Sequence, residues 1–271
     1  MDRENVVIYE KHEAIGVVTL NRPEARNALS PEMLCRMADA FADAQADADV
    51  RVIILTAVGD QAFCAGGDLG LTLPLFTGDR AASTKWDSRL LNDPQVRSLS
   101  SLCDTRIDKP FIAAVNGVCM AAGAELILGT DIRIATESAR FAWPEVQRGL
   151  IPFAGSLSRL PAQIPYSQAM QLLLTGEPIN AQDALAIGLI NKVVPSSKLM
   201  SEAKKIAKRI ANNGPLAIRT VKATATASLG LSQEEAFSLE KRSYDKIMAS
   251  TDAREGPRAF MEKREPVFRG H

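Results

Sequence analysis

The stretch FIAAVNGVCMAAGAELILG, Phe111 to Gly129, decides the fold. It is long and apolar enough to resemble a membrane span, but Asn116, Gly117, Gly123 and Glu125 interrupt it, and a lipid-buried helix carries such groups only at a cost. A buried strand, a turn and a helix fit it better. RVIILT, Arg51 to Thr56, has the same buried-strand character, as do Pro110 to Val115 and Asp131 to Thr136. Strand and helix alternate, so the fold class is α/β.

Upstream, Val6 to Glu10 and Gly16 to Leu20 read as two short strands, closed by the turn NRPEARN, where Pro23 stops the ladder. Ser30 then offers an N-cap oxygen and Pro31 suits the first helical position. Leu34, Met37, Phe41 and Ala44 recur at helical spacing as far as about Asp47. Asp68 to Asp108 is polar, with weak helical periodicity over Lys85 to Leu102, and reads as a mobile region beside a site. Beyond Pro195 strand signals end; Ser196 to Asn213, Ser232 to Ala249 and Asp252 to Glu262 read as helices. The expected division is a core over residues 1–195 and a helical region over 196–271, with no usable internal repeat.

The 271 residues carry 32 basic and 32 acidic side chains, so no net charge draws the chain to nucleic acid or to an anionic membrane. Cys35, Cys64, Cys103 and Cys119 are too far apart for a CxxC site and read as reduced core thiols. The start, MDRENVVIYEKHE, is charged and lacks an apolar segment, so a cytoplasmic location is the expectation. GxGxxG, GxxxxGK[ST], HExxH and GxSxG are all missing, and the only histidines are His12 and His271. Without a histidine in a plausible site, proton transfer falls to carboxylates, lysines, tyrosines or cysteines, and no metal site is expected.

Glu125 lies in MAAGAELILGT and Glu145 follows Phe141, Ala142, Trp143 and Pro144. A carboxylate among such neighbours is costly to bury alone, and two could form a coupled acid–base pair. Two small-residue loops accompany them. AFCAGGDLG, Ala62 to Gly70, follows a strand and reads as opening a helix near Asp68, with Gly66 and Gly67 letting a ligand approach the backbone. Ala121, Ala122 and Gly123 precede another helix. Free N–H groups at two such positions would make an oxyanion hole.

LNRPEARNALS (Leu20 to Ser30), AFCAGGDLG, AAVNGVCMAAGAEL (Ala113 to Leu126) and FAWPEVQRGLIP (Phe141 to Pro152) together resemble the crotonase, or enoyl-CoA hydratase/isomerase, family. The likeness runs in order through to EKREPVFRG near the C-terminus. It implies a superhelix of stacked ββα turns with a helical C-terminal trimerisation region, and a homotrimer or a hexamer built from two trimers. Gly67 and Ala122 match the two oxyanion donors, and Glu125 (base) and Glu145 (acid) match both glutamates of hydratases. Arg26, Ala28, Ala65, Gly66, Gly67, Asp68, Leu69 and Ala122 match the surface that binds the coenzyme A portion. Phe260, Lys263 and Phe268 resemble a tail reaching coenzyme A near a neighbouring subunit.

The implied reaction adds water to the 2,3 double bond of an enoyl-CoA, with coenzyme A as part of the substrate and no separate cofactor. The alternatives are a 3,2-enoyl-CoA isomerase, a specialised CoA dehydratase, or a noncatalytic acyl-CoA-binding protein. Ala122 stands where the family usually has glycine, and PFAGSLSRL, Pro152 to Leu160, replaces a more glycine-rich run. Both departures bear on acyl specificity.

Overall fold

The computed structural model describes residues 5–103 and 107–271. Residues 1–4 and 104–106, part of the N-terminal stretch and of the polar region after Asp68, lie outside them. An antiparallel hairpin of β1 (Val7–His12) and β2 (Ile15–Leu20) leads into helix α1 (Pro31–Ala46). Ser30 caps α1 as expected, its hydroxyl accepting from Met33 N–H at 3.2 Å, with Pro31 at the first position.

The chain then winds through three two-strand steps: β3 (Val52–Ala57) with β4 (Ala62–Cys64), β5 (Phe111–Val115) with β6 (Val118–Met120), and β7 (Ile132–Thr136) with β8 (Arg140–Ala142). The first strand of each step joins one sheet and the second joins another. β9 (Ile179–Asn180) closes the second sheet and β10 (Lys192–Val194) the first. The orders are β1-β2-β3-β5-β7-β10 and β4-β6-β8-β9, parallel except at β1/β2 and β8/β9. This is the stacked ββα arrangement that the resemblance implied.

The continuous apolar runs follow from burial on both faces. Ile53, Leu55, Phe111 and Ala113 point into a core shared by both sheets and α1, where the Phe41 and Phe111 rings meet edge to face at 5.2 Å. Val52, Ile54, Ile112 and Ala114 point the other way. They pack against Leu199, Ala203, Ala207 and Ala211, one stripe of a C-terminal helix at i, i+4 spacing.

Between β4 and β5 lie α2 (Leu73–Thr77), α3 (Lys85–Asn92) and α4 (Pro94–Ser101). The weak helical periodicity over Lys85 to Leu102 corresponds to α3 and α4. Thr84 and Asp87 form a reciprocal capping box on α3. Arg80 clamps Asp87 through two 2.8 Å bonds and, with the Ser83 and Thr84 N–H groups, holds that carboxyl well below the usual range.

α5 (Ala122–Ile127) follows β6; α6 (Ser156–Gln163), α7 (Tyr166–Thr175) and α8 (Ala181–Ala186) follow β8. After β10 come α9 (Leu199–Ala211), α10 (Pro215–Ser228), α11 (Gln233–Met248) and α12 (Asp252–Met261). α9 is the helix that covers the sheet. α10 is a helix the sequence reading left out. Among the described residues no helix is long and apolar enough to cross a membrane.

Candidate active site

β4, β6 and β8 are adjacent and parallel, so their C-terminal ends lie side by side. Gly67 follows the first, Ala122 the second and Glu145 the third. Sequence-distant residues thus converge at one sheet edge, the usual place for a ligand in parallel α/β structures.

The Gly67 loop is held from behind by the NRPEARNAL turn. Leu29 N–H donates to Gly66 C=O at 2.8 Å and Asp68 N–H to Leu29 C=O at 3.1 Å, a bridge that leaves Gly67 N–H between them without an acceptor among the described residues. Ala65 N–H donates to Arg26 C=O at 3.1 Å. Asn27 fastens the turn, donating to Val58 C=O at 3.2 Å and Ala62 C=O at 2.8 Å.

Asp68 does not start a helix as expected; α2 begins at Leu73. Its Oδ1 accepts from Gly70 and Leu71 N–H at 2.9 Å each, and its Oδ2 from Arg22 Nη1 at 2.6 Å. Burial opposes ionisation there, yet Arg22 and the two N–H groups hold the carboxyl below its ordinary value. Asp68 is thus a structural anchor, and Arg22, its partner, was not singled out from sequence.

Ala122 is the first residue of α5, as expected, and its N–H likewise has no acceptor among the described residues. The backbone departure sits one residue earlier, at Ala121, with φ 50° and ψ −128°. Gly66, at φ +109°, passes so close that a Cβ there would lie 2.7 Å from Ala121 Cβ and 3.6 Å from Ala122 N. Two free N–H groups are therefore brought together by a contact that only glycine permits.

Glu125 is 1% exposed and Glu145 9%. Glu125 Oε1 accepts from Ala154 N–H at 2.8 Å, while Glu145 Oε2 is buried with no hydrogen-bond partner among the described residues. Burial pushes the Glu125 carboxyl up to about 7; the Ala154 N–H opposes this and the neighbouring Glu145 adds to it. Burial also raises Glu145, against its own backbone N–H and Arg148. Both carboxyls resist ionisation, and Glu125, pushed up to about 7, can hold or release its proton near neutral pH, the condition for passing it on.

Arg26 is exposed in a left-handed conformation (φ 52°) and lines a cavity of about 490 Å³ with Glu24, Asn27, Gly59 and Gln61. Ala28 accepts from Arg22 Nη1 at 3.1 Å, and Leu69, 59% exposed, lies on the rim. The turn bearing Arg26 and Ala28 is hydrogen-bonded to the Ala65 to Asp68 loop that carries Gly67. Of the tail residues, Phe268 packs over Gly214 and Gly256, and Phe260 is exposed on α12. Across the cleft Phe76 of α2 and Phe153 meet edge to face at 6.4 Å. No group of three or more potential metal-ligating side chains occurs among the described residues.

The sequence matches the enoyl-CoA hydratase/isomerase family over residues 10–271. It is 41% identical over 252 residues to an enoyl-CoA hydratase of Mycobacterium tuberculosis, covering 93% of this chain and 92% of the relative. It is 38% identical over 268 residues to the crotonyl-CoA hydratase of Syntrophomonas wolfei, covering 99% of each. A solved enoyl-CoA hydratase structure from Mycobacterium tuberculosis superimposes with a TM-score of 0.88 at 35% identity, covering 99% of this chain and 100% of that one.

Proposed function

The chain belongs to the enoyl-CoA hydratase/isomerase family, and from that premise we propose that it is an enoyl-CoA hydratase, adding water reversibly across the 2,3 double bond of a trans-2-enoyl-CoA. One observation carries the reading: two buried carboxyls and two unpaired backbone N–H groups gather at the ends of three adjacent strands. The thioester oxygen is received between Gly67 and Ala122 N–H. As water attacks C3, negative charge moves onto that oxygen, and preorganised donors stabilise it without reorganisation. Glu125 takes the proton from water and Glu145 delivers one to C2; dehydration reverses the roles.

Coenzyme A enters as part of the substrate, held along Arg26, Ala28 and Ala65 to Leu69, with Arg26 facing phosphate. The test is a panel of enoyl-CoA thioesters of different chain length, followed by loss of the conjugated-thioester absorbance and by a product heavier by one water. Binding without water addition to any thioester would leave only an acyl-CoA-binding protein, and migration of the double bond without hydration would leave an isomerase. Because Glu125 must be ionised to act as base, kcat/KM for hydration should rise with pH through about 7. A profile flat from pH 5.5 to 8.5 would remove Glu125 from that role.

We also propose a homotrimer or a hexamer of two trimers. α10, α11 and α12 leave Val221, Phe237, Tyr244, Met248 and Phe260 exposed, and amphipathic helices bury such faces in a partner. Light scattering should give three or six times the chain mass; a fully active monomer at micromolar concentration would contradict it. Four unpaired cysteines are consistent with a reducing, cytoplasmic setting.

A further inference from the structure

A trans peptide unit is one rigid plane, with the C=O of one residue and the N–H of the next pointing in opposite directions. Gly67 N–H therefore shares a plane with Gly66 C=O, and that carbonyl accepts from Leu29 N–H at 2.8 Å. Leu29 N–H in turn shares a plane with Ala28 C=O, which accepts from Arg22 Nη1 at 3.1 Å. Arg22 thus stands at the head of a relay of two peptide planes. Holding the first turns Leu29 N–H towards Gly66 C=O, and holding the second turns Gly67 N–H the other way, away from Leu29.

We propose that Arg22 is a positioning residue for the Gly67 donor, aiming its N–H through the Ala28–Leu29 and Gly66–Gly67 peptide planes while Asp68 holds the guanidinium in place. The inference rests on the reading of Gly67 N–H as a donor to the thioester oxygen. Arg22 itself is fixed at both ends. Its backbone N–H donates to Asn27 Oδ1 at 2.8 Å, and its Nη1 donates to Asp68 Oδ2 at 2.6 Å, with the two side chains only 19% and 14% exposed. Every polar atom of Asp68 is engaged: its N–H with Leu29 C=O, its C=O with Thr72 and Leu73 N–H, its Oδ1 with Gly70 and Leu71 N–H, and its Oδ2 with Arg22. The other carboxylate near Arg22, that of Glu24, is exposed and lies 3.9 Å from Nε, too far for a hydrogen bond.

The second donor has no such dependence. Ala122 N–H shares its plane with Ala121 C=O, and that carbonyl accepts from Glu125 N–H at 2.9 Å in the first turn of α5. Removing Arg22 therefore loosens one donor and leaves the other in place.

The probe is butyryl-CoA, a saturated thioester that cannot be hydrated, isotope-labelled at its carbonyl. Bound to the wild type, its carbonyl infrared band should lie below the free position, because two donors polarise it. In Arg22→Met the band should return part of the way, and kcat/KM for hydration should fall by about 10- to 100-fold, less than the loss of a whole donor. That fall should be carried by kcat rather than KM. Arg22→Lys keeps the charge as a point rather than a fork, and should lie between the two. Arg22→Met also strands the Asp68 carboxylate and costs stability; adding Asp68→Asn removes the stranded charge and leaves an Oδ1 for Gly70 and Leu71 N–H. The double variant should therefore melt closer to the wild type while its band and its kcat stay displaced. A band unmoved in both Arg22→Met and the double variant overturns the proposal, as does a band that returns with stability. A wild-type band that does not move on binding overturns the donor reading and the proposal with it. A band that moves with Arg22 in a protein that hydrates no enoyl-CoA keeps the proposal and overturns the hydratase reading alone.

Discussion

Glu125→Gln is expected to hydrate a good enoyl-CoA substrate at no more than about one-hundredth of the wild-type rate, and Glu145→Gln likewise, within the range for removing a general acid or base. Glutamine keeps the shape of Glu125 and an oxygen to accept the Ala154 N–H, so the fold survives while the proton carrier is lost. Stability should move the other way. The Glu125 carboxyl titrates near 7 in the folded protein against an ordinary 4.5, so the folded state binds its proton more tightly than the unfolded state does. That contribution is fully present below about pH 4.5 and is lost as pH rises towards 7. Glu125→Gln carries no such pH-dependent loss, and at pH 8 it should gain on the wild type by at most on the order of 3 kcal/mol. Thermal melts at pH 5 and pH 8, beside the rate assay, separate the two effects. Near-normal turnover in both glutamine variants would remove these carboxyls from the chemistry.

Gly66→Ala should lower kcat/KM by about 100- to 1000-fold, the usual loss when an oxyanion donor is displaced. Its φ of +109° disfavours any side chain, and the new Cβ would stand 2.7 Å from Ala121 Cβ and 3.3 Å from Met120 C=O. One of the two loops must retreat, and with it Gly67 or Ala122 N–H. Gly67→Ala is the control: its Cβ meets nothing within 4 Å and its N–H is unchanged, so the loss should stay below about tenfold. Product-CoA affinity, measured by calorimetry, should fall far less than the rate in Gly66→Ala. Equal effects of the two substitutions on kcat/KM would mean that the close approach at Gly66 does not set the donor geometry.

The residues proposed to bear the chemistry were legible because their side chains or their smallness are unusual where they stand. Glu125 and Glu145 are charged groups in apolar runs, and Gly66, Gly67 and Ala122 leave backbone open beside a strand end. Phe111 to Val115 and Val52 to Ala57 were readable as strands since both faces are buried and every residue but Thr56 is apolar. The three-residue strands β4, β6 and β8 were not, because three residues are too few to show a period. The repeated two-strand step therefore left no recognisable sequence repeat, although it is plain in the sheet orders.

By itself, then, the amino-acid sequence determined the α/β class, the buried strands, the capped α1, the apolar carboxylates and, through four ordered motifs, the family likeness. Tertiary structure alone decided which of these meet. It placed Gly67, Ala122 and Glu145 at neighbouring strand ends, paired Arg22 with Asp68, and brought Ala154 onto Glu125. It also drew α9 into the core and concentrated the backbone departure at Ala121 rather than Ala122. The reason is common to all of these: a backbone N–H, a φ angle or a long-range hydrogen bond has no residue type of its own. Such features become determinate only when packing brings distant segments within a few ångströms.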